Sequence, residues 1–336
     1  MILITGAAGF IGSALTWSLN TQGRNDLILC DRFGTNEMSA KASWRSSAKW
    51  KNLLGCRFLE FVDREKLFEK LHTEPWAQQI DIVLHIGART DTTETDTDLL
   101  FQMNTEYSRK LCEWAIDRGA RFIYASSAAV YGDGTLGFSD EDALTPHLRP
   151  LNAYGFSKWL FDMWVLEHGL TDKVAGLRFF NVFGPNEYHK GTMASVIYRS
   201  FPLIYKEGKI RLFESHRSDC AHGEQKRDFI YIKDVIQVVQ YFIEHPDSNG
   251  IFNVGTGQAH SFNELAQAMF LSLGKEPQIE YFPMPESIRA QYQYFTKAEL
   301  AKLRKTGFSG VFTPFEEAVT DYVKNYLVSG RYLGTQ

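Results

Sequence analysis

The sequence predicts an α/β fold, a parallel doubly wound sheet carrying a smaller, discontinuous α/β domain, and three observations predict it. The first twelve residues, Met1-Ile-Leu-Ile-Thr-Gly-Ala-Ala-Gly-Phe-Ile-Gly12, run from an apolar strand into spaced glycines and then a helix. The next apolar run, Leu27-Ile-Leu-Cys-Asp31, ends in an acid about 20 residues past those glycines, the spacing of a strand–helix–strand unit. Through the first half of the chain, strand-like and helix-like segments keep alternating, as parallel strands joined by crossover helices require.

Taken in order, the candidate strands are Ile2–Thr5, Leu27–Asp31, Arg57–Phe61, Asp81–His85, Arg121–Ser126 and Val174–Phe179. Leu99–Arg118 has helical periodicity, and Gly119 suits its C-terminal cap. After Phe180 the pattern breaks. Gly184-Pro185, Gly191, Gly208 and the polar stretch Glu214–Lys226 read as loops and short elements. Asp228–Tyr241 and Ile251–Gly257 look sheet-associated again, and Ser261–Gly274 reads as an amphipathic helix. The expected division is residues 1–180 with 227–260 as a dinucleotide-binding domain, and 181–226 with 261–336 as a substrate domain. Sheets of this kind hold ligands beyond the carboxyl ends of their strands, where Asp31, Gly87-Ala88, Ser126-Ser127 and Asn181 fall.

Composition narrows the function classes. A 336-residue chain that is 44% hydrophobic can bury a sizeable core, which excludes a disordered protein. A net charge of −4 argues against nucleic acid as the main partner. Cys30, Cys56, Cys112 and Cys220 are scattered, without metal-ligand or C-x-x-C spacing, so neither metal nor disulfide is expected. No apolar run reaches the roughly 18 residues that span a bilayer, and the first apolar residues lead into the glycine turn instead of a signal peptide. The expectation is a cytoplasmic chain without a membrane partner.

The glycines, spaced G-x-x-G-x-x-G, are one residue longer than the G-x-G-x-x-G fingerprint. Each keeps a physical reason to be glycine. Gly6 allows the turn, Gly9 the close approach of a pyrophosphate, and Gly12 the packing of the helix on the sheet. Backbone N–H groups at a helix N-terminus then bind the phosphates, helped by the helix dipole. Asp31 stands where an acid meets the ribose. The cofactor implied is a nicotinamide dinucleotide.

Proton transfer is implied beside it. Tyr154 and Lys158 lie four residues apart on a helix and share one face. A free tyrosine, with a pKa of about 10, is a poor base near neutrality, but Lys158 and an oxidised nicotinamide would lower it. Ser127, at the end of a strand, can hydrogen-bond a substrate oxygen and share its proton with the phenol.

These residues resemble the extended short-chain dehydrogenase/reductase superfamily over almost the whole chain, with its Rossmann-type fold and nucleotide-sugar substrates. The resemblance makes Ser127, Tyr154 and Lys158 catalytic. The sugar 4,6-dehydratases of that superfamily carry an Asp-Glu pair after the serine; Ala128 and Ala129 stand there here, which argues against dehydration. A narrower likeness lies in Arg178-Phe-Phe-Asn-Val-Phe-Gly-Pro-Asn-Glu-Tyr-His-Lys-Gly-Thr-Met-Ala-Ser195, Lys226-Arg-Asp-Phe-Ile-Tyr231, Phe252-Asn-Val-Gly-Thr-Gly257 and Arg289-Ala-Gln-Tyr-Gln-Tyr-Phe-Thr296. This is similar to the ADP-L-glycero-D-manno-heptose 6-epimerases of lipopolysaccharide core synthesis. The likeness implies transient oxidation and re-reduction at C6 of an ADP-heptose, in a homo-oligomer, with Lys190 as a second acid/base. Inverting a carbinol carbon needs proton carriers in two substrate poses, which Tyr154 and Lys190 would serve.

By the same resemblance, Gly6, Gly9, Phe10, Ile11, Gly12, Asp31, Arg32, Lys49, Arg64, Ile86, Gly87, Ala88, Asn104, Tyr154, Lys158, Val182 and Lys190 would bind the cofactor. Asn181, Thr192, Arg199, Phe213, Glu214, Ser215, His216, Arg227 and Tyr292 would line the substrate, with Arg199 and Arg227 suited to a pyrophosphate. Three departures stand out: Arg199 where the family more often has His, Thr192 where it often has Ser, and a longer region at Arg32–Lys51. Asp31 favours NAD, whereas Arg32, Lys41, Arg45, Lys49, Lys51 and Arg64 favour the 2′-phosphate of NADP. NADP is the expected cofactor, with NAD as the alternative. A UDP-hexose 4-epimerase and a non-catalytic NADP-binding redox sensor are the competing readings.

Overall fold

Seven parallel strands form the centre of the chain in a computed structural model that describes residues 1–33, 46–289 and 291–335. In chain order the strands are β1 (Ile2–Thr5), β2 (Leu27–Asp31), β3 (Glu60–Asp63), β4 (Ile82–His85), β5 (Arg121–Ser127), β6 (Val174–Phe179), β7 (Asn181–Phe183), β8 (Ile210–Phe213), β9 (Lys226–Arg227), β10 (Phe229–Tyr231), β11 (Gly250–Val254), β12 (His260–Ser261) and β13 (Ile279–Phe282). The main sheet runs β11-β6-β5-β4-β1-β2-β3. The order reverses between β1 and β4, which is where a doubly wound sheet opens its ligand crevice.

The helices that matter for the site are α1 (Phe10–Thr21), α2 (Leu67–Thr73), α3 (Thr97–Leu100), α4 (Tyr107–Asp117), α5 (Ala153–Glu167), α6 (Val196–Glu207), α7 (Ile232–Glu244) and α8 (Phe262–Ser272). Strand residues alternate between the two faces of the sheet. Ile2, Ile4, Leu27 and Leu29 pack with Ala14 and Leu15 of α1 and with Val235, Val238 and Val239 of α7. On the other face Leu3, Ile28, Val83 and Phe122 pack with Leu111 and Cys112 of α4 and Phe161 of α5. Both faces are covered, so the strands are apolar throughout. Ile197, Ile204, Ile210 and Leu212 join the same apolar core as α1 and α7.

Two expectations need correction. The third strand is Glu60–Asp63, not Arg57–Phe61. Its register pairs Ile28 with Glu60 and Asp31 with Asp63, turning Val62 inward, while Phe58 and Leu59 stay exposed. Asp228–Tyr241 is strand only over Phe229–Tyr231; from Ile232 it is helix, with Val235, Val238, Val239 and Phe242 on the buried face. Helical spacing of those residues was the discriminating signal. The helix expected at Leu99–Arg118 starts at Thr97, capped by Asp96, passes a π-helical turn at Phe101–Glu106, and gives way to Gly119 at φ +69°.

A buried polar brace joins β5, β6 and α5. Arg178 Nε donates to Asp162 at 2.9 Å, with both side chains fully buried. Tyr124 and Ser126 donate to the same carboxylate at 3.0 and 2.9 Å. The other guanidinium nitrogens donate to the Tyr131 hydroxyl at 3.1 Å and the Thr145 hydroxyl at 2.9 Å. Every strong donor and acceptor in this brace has a partner, the condition under which a buried ion pair is tolerated.

Candidate active site

The glycine turn behaves as its spacing demands. Gly6 has φ +66°, and a Cβ there would lie 2.7 Å from the Gly87 backbone. A Cβ on Gly12 would lie 2.2 Å from the Gly6 carbonyl oxygen, so only glycine lets α1 sit this close to the turn. Gly9 is the N-cap of α1, where no side chain caps the helix and no acid stands in the first turn. The helix N-terminus is thereby left as an anion cradle.

A cavity of about 520 Å³ opens over this turn, between the ends of β1 and β4. Gly6, Gly9, Phe10, Ile11, Gly12, Asp31, Arg32, Lys49, Arg64, Ile86, Gly87, Ala88, Lys190 and Thr192 all line it. A second cavity of about 460 Å³, walled by Phe183, Phe229, Tyr231 and Phe315, contains no predicted site residue. The donor set of the first cleft fits a dinucleotide: a glycine cradle, a bare helix N-terminus and an acid at the end of β2.

Asp31 is buried and fully engaged. One carboxylate oxygen accepts from the Ala8 N–H at 2.9 Å, and the other from the Arg32 N–H at 2.6 Å and Lys49 Nζ at 2.5 Å. Arg32 pairs with Glu65 at 2.7 Å on the rim, and Arg64 approaches the same Glu65 at 4.0 Å. Lys41 and Arg45 lie outside the described residues.

Asn104 and Val182 are not among the residues lining this cleft. Asn104 is buried; it accepts from the Arg89 N–H at 2.8 Å and donates to the Arg89 carbonyl at 3.0 Å and to Ser157 Oγ at 2.9 Å. Its contacts tie the cleft wall at Arg89 to α5. Tyr154 and Lys158 also stand outside the lining, one turn apart on α5. Asn152 caps that helix, accepting from the Gly155 N–H at 2.8 Å. A Cβ on Gly155 would lie 2.7 Å from the Ala129 carbonyl oxygen, so α5 packs directly on the turn after Ser127. Burial pushes the Tyr154 phenol above its ordinary range, and a hydrogen bond with Ser127 works the other way. Lys158 donates to the Ala125 carbonyl at 2.8 Å, and burial lowers its pKa to about 8. The expected lowering of Tyr154 by the chain's own lysine is not seen: desolvation governs both groups.

Lys190 sits in a short helical turn, Tyr188–Met193. Its Nζ stands 5.3 Å from the Phe10 ring centroid, above the first residue of α1. Burial lowers its pKa, and buried Glu187 pulls the other way. Glu187 itself accepts from the Ser195 N–H and Oγ, both at 2.6 Å, joining the Lys190 turn to the start of α6.

The remaining substrate residues gather in a second patch. Phe213 meets Tyr292 edge-on at 6.2 Å, and the Arg227 guanidinium lies 5.0 Å from the Tyr292 ring. Arg227 is buried and donates to the Lys226 and Gln293 carbonyls. The His216 N–H donates to the Tyr294 hydroxyl at 3.0 Å, and Ser215 Oγ lies 3.3 Å from it. The Glu214 N–H is held by the Phe282 carbonyl at 2.8 Å. Arg199 on α6 is electrostatically coupled to Glu187 and Tyr292. Asn181 accepts from Thr296 at 3.4 Å. Gln293 donates to the Gly132 carbonyl at 2.6 Å, linking this patch to the loop that follows Ser127.

Sequence reasoning missed Asn52, Glu187, Asn186 and the Arg178–Asp162 brace. Asp162 could have been found: Tyr154, Lys158 and Asp162 repeat every four residues along one face of α5. Asn52 offered no local signal, because its partners are Ala8, Asn186 and His189.

Comparison with known proteins agrees with this geometry. Residues 2–255 match the epimerase family described as NAD dependent epimerase/dehydratase. The chain is 49% identical over 331 residues to the ADP-L-glycero-D-manno-heptose-6-epimerase of Nitratidesulfovibrio vulgaris strain DP4, covering 98% of both chains. It is 39% identical to the enzyme of that name from Fusobacterium nucleatum, covering 97% of this chain and 98% of that one. The crystal structure of the Helicobacter pylori ADP-L-glycero-D-manno-heptose-6-epimerase superposes with a TM-score of 0.77 at 29% identity, covering 96% of this chain and 95% of that one. With its glycine turn, its Tyr154–Lys158 helix and this extent of identity, the chain belongs to the ADP-L-glycero-D-manno-heptose-6-epimerase family, within the NAD dependent epimerases and dehydratases.

Proposed function

We propose that the chain interconverts ADP-D-glycero-D-manno-heptose and ADP-L-glycero-D-manno-heptose, the C6 epimers needed for lipopolysaccharide core, using a tightly held NADP. The observation that carries the reading is Lys190 beside Phe10 at the N-terminus of α1, lining the same cleft as the glycine turn. A simple dehydrogenase needs one positioned acid/base, and the cleft over the glycine turn carries a cationic candidate of its own, apart from the α5 pair outside its lining. Bound nicotinamide would supply the hydride acceptor and return the hydride to the other face of C6.

The protein's own groups would handle the protons. In one substrate pose Tyr154, hydrogen-bonded to Ser127, would take the C6 hydroxyl proton on oxidation, or give one when the reaction runs in reverse, solvent restoring the resting protonation states between turnovers. In the other pose Lys190 does so; its desolvation favours the neutral amine that a base requires. Lys158, which donates to the Ala125 carbonyl, would hold the cofactor's ribose. Arg227, Arg199 and the Phe213–His216 segment with Tyr292 would take the ADP-heptose, and Asn181 and Thr192 its sugar. On this reading 1–180 with 227–260 carry the cofactor, and 181–226 with 261–336 carry the substrate in each subunit of a homo-oligomer. Arg32, Lys49 and Arg64 around Asp31 support NADP over NAD: Lys49 neutralises the acid that would repel a 2′-phosphate.

The test is incubation with ADP-heptose and UDP-hexose epimers, with resolution of the products. Turnover of UDP-hexoses alone would overturn the substrate assignment. Tyr154→Phe and Lys190→Ala should each lower epimerisation by roughly 10²–10⁴-fold. With a 6-keto analogue, each should keep more activity toward one epimer, whereas Lys158→Met should depress both directions. Near wild-type epimerisation by Lys190→Ala would leave Tyr154 as the one acid/base.

A further inference from the structure

Asn186 is the one non-glycine residue with positive φ among the described residues, at +77°. Asparagine tolerates this left-handed conformation better than most residues, yet it persists only where the surroundings hold it. Here they do. Asn186 is fully buried, and its carbonyl accepts from Asn52 Nδ2 at 3.0 Å. Its side chain donates to Ser13 Oγ of α1 at 3.0 Å and accepts from the Leu333 N–H at 2.9 Å. Asn52 Nδ2 also donates to the Ala8 carbonyl of the glycine turn at 3.0 Å and lies 3.1 Å from His189 Nδ1. Four stretches of chain therefore converge on one residue: the glycine turn with α1, the segment around Asn52, the Lys190 turn and the segment at Leu333.

We infer that Asn186 is a positioning residue that fixes Lys190 over the N-terminus of α1, so that the second proton carrier is indexed to the cofactor's own cradle. The inference rests on the reading of Lys190 as an acid/base. Asn186 leads into the turn: the Lys190 N–H donates to the carbonyl of Glu187, the neighbour of Asn186 and the N-cap of the turn, at 2.9 Å. Without the link to Ser13, that turn keeps only the indirect tie through Asn52 to the glycine turn, and the Lys190 amine is held less firmly over α1.

The variants separate backbone from side chain. Asn186→Gly keeps the positive φ and removes both side-chain hydrogen bonds; Ser13→Ala removes one of them from the other end. Asn186→Ala adds backbone strain and should show the lowest Tm of the three. Expected for Asn186→Gly in the holoenzyme is a fall in kcat of about tenfold or more, the scale of a displaced catalytic group, with KM and cofactor retention near wild type. In a Lys190→Ala background the same substitution should add no further loss in kcat. Labelling of Lys190 by acetic anhydride across pH, read by mass spectrometry, reports its basicity without turnover. Release into water should move its titration upward in Asn186→Gly, and to a smaller extent in Ser13→Ala. An unchanged Lys190 titration in Asn186→Gly overturns the inference, as does a kcat loss fully additive with Lys190→Ala. If Lys190→Ala turns over like wild type while the labelling shifts, the acid/base role fails and the positioning stands.

Discussion

The two sides of the cleft are built from different materials. The floor, Gly6 to Gly12, is backbone: glycines that permit close approach, a helix end that no side chain caps, and no charge of its own. The opposite wall, Glu187 to Thr192, is held by buried side chains, with Glu187 clamping Ser195 and Asn186 clamping Ser13 and Leu333. A floor of backbone presents the same groups to any dinucleotide and tolerates little change in volume. A wall of hydrogen-bonded side chains can be retuned residue by residue, and on our reading it carries the second acid/base. His189 sits beside two lysines: burial, then Lys49 and Lys190, push its imidazole down to about 3, so it stays neutral and adds no positive charge of its own.

The contrast can be broken most severely on the floor. Gly9→Val should abolish cofactor retention while the chain stays folded, since the new side chain enters the phosphate space and its Cβ already lies 3.0 Å from the Gly6 carbonyl oxygen. Cofactor content after purification is the readout, and unchanged occupancy would remove the floor from the binding site. Next in size is the brace behind Ser127. Arg178→Met strands the Asp162 carboxylate in the core and should destabilise by about 3–5 kcal/mol; a double substitution that also makes Asp162→Asn should recover part of it. A denaturant midpoint that hardly moves would mean the brace is dispensable. On the rim, Arg32→Ala should weaken NADP more than NAD by about 1–3 kcal/mol, and equal losses would mean Arg32 does not read the 2′-phosphate.

The smallest effect is a pH dependence. Burial holds the Lys158 pKa at about 8, against 10.5 for an ordinary lysine, so the folded state loses that proton first. Between pH 8 and 10.5 the unfolded chain binds more protons than the folded one, and stability from this group rises with pH. Below pH 8 both states are protonated and its penalty is fully present. The Tm of wild type should therefore gain on that of Lys158→Met by a few degrees across this window. A constant difference would show that Lys158 titrates normally.

What was legible in the sequence follows the same divide. Floor residues announce themselves because their causes are local: an apolar run, glycines at fixed spacing, an acid at the end of the next strand. The predicted residues that line the cleft, from Gly6 to Thr192, come from such motifs, from the basic residues downstream of Asp31 or from the His189-Lys190-Gly191 run. Asn52 and Asn186 were silent, since the meaning of each lies in partners up to 173 positions away. Arg227 was legible as a site residue but not in its surroundings: its guanidinium is buried and already bonded to two backbone carbonyls. The edge strand slipped because Phe58 and Leu59 look apolar enough to be inside, and only the pairing register with β2 shows that Val62 is.

The contacts of the last described residues have a consequence for synthesis. Leu333 is buried against the Asn186 side chain, Tyr188 donates to the Arg331 carbonyl at 2.7 Å, and Gly334 lies against Trp17 of α1. A ribosome releases β1 and the glycine turn before α7, which covers the same face of the sheet as α1. The Lys190 turn waits longer still. It gains its last hydrogen bonds only when residues 331–334 emerge, so closing that turn against α1 belongs to the last steps of folding on the nascent chain.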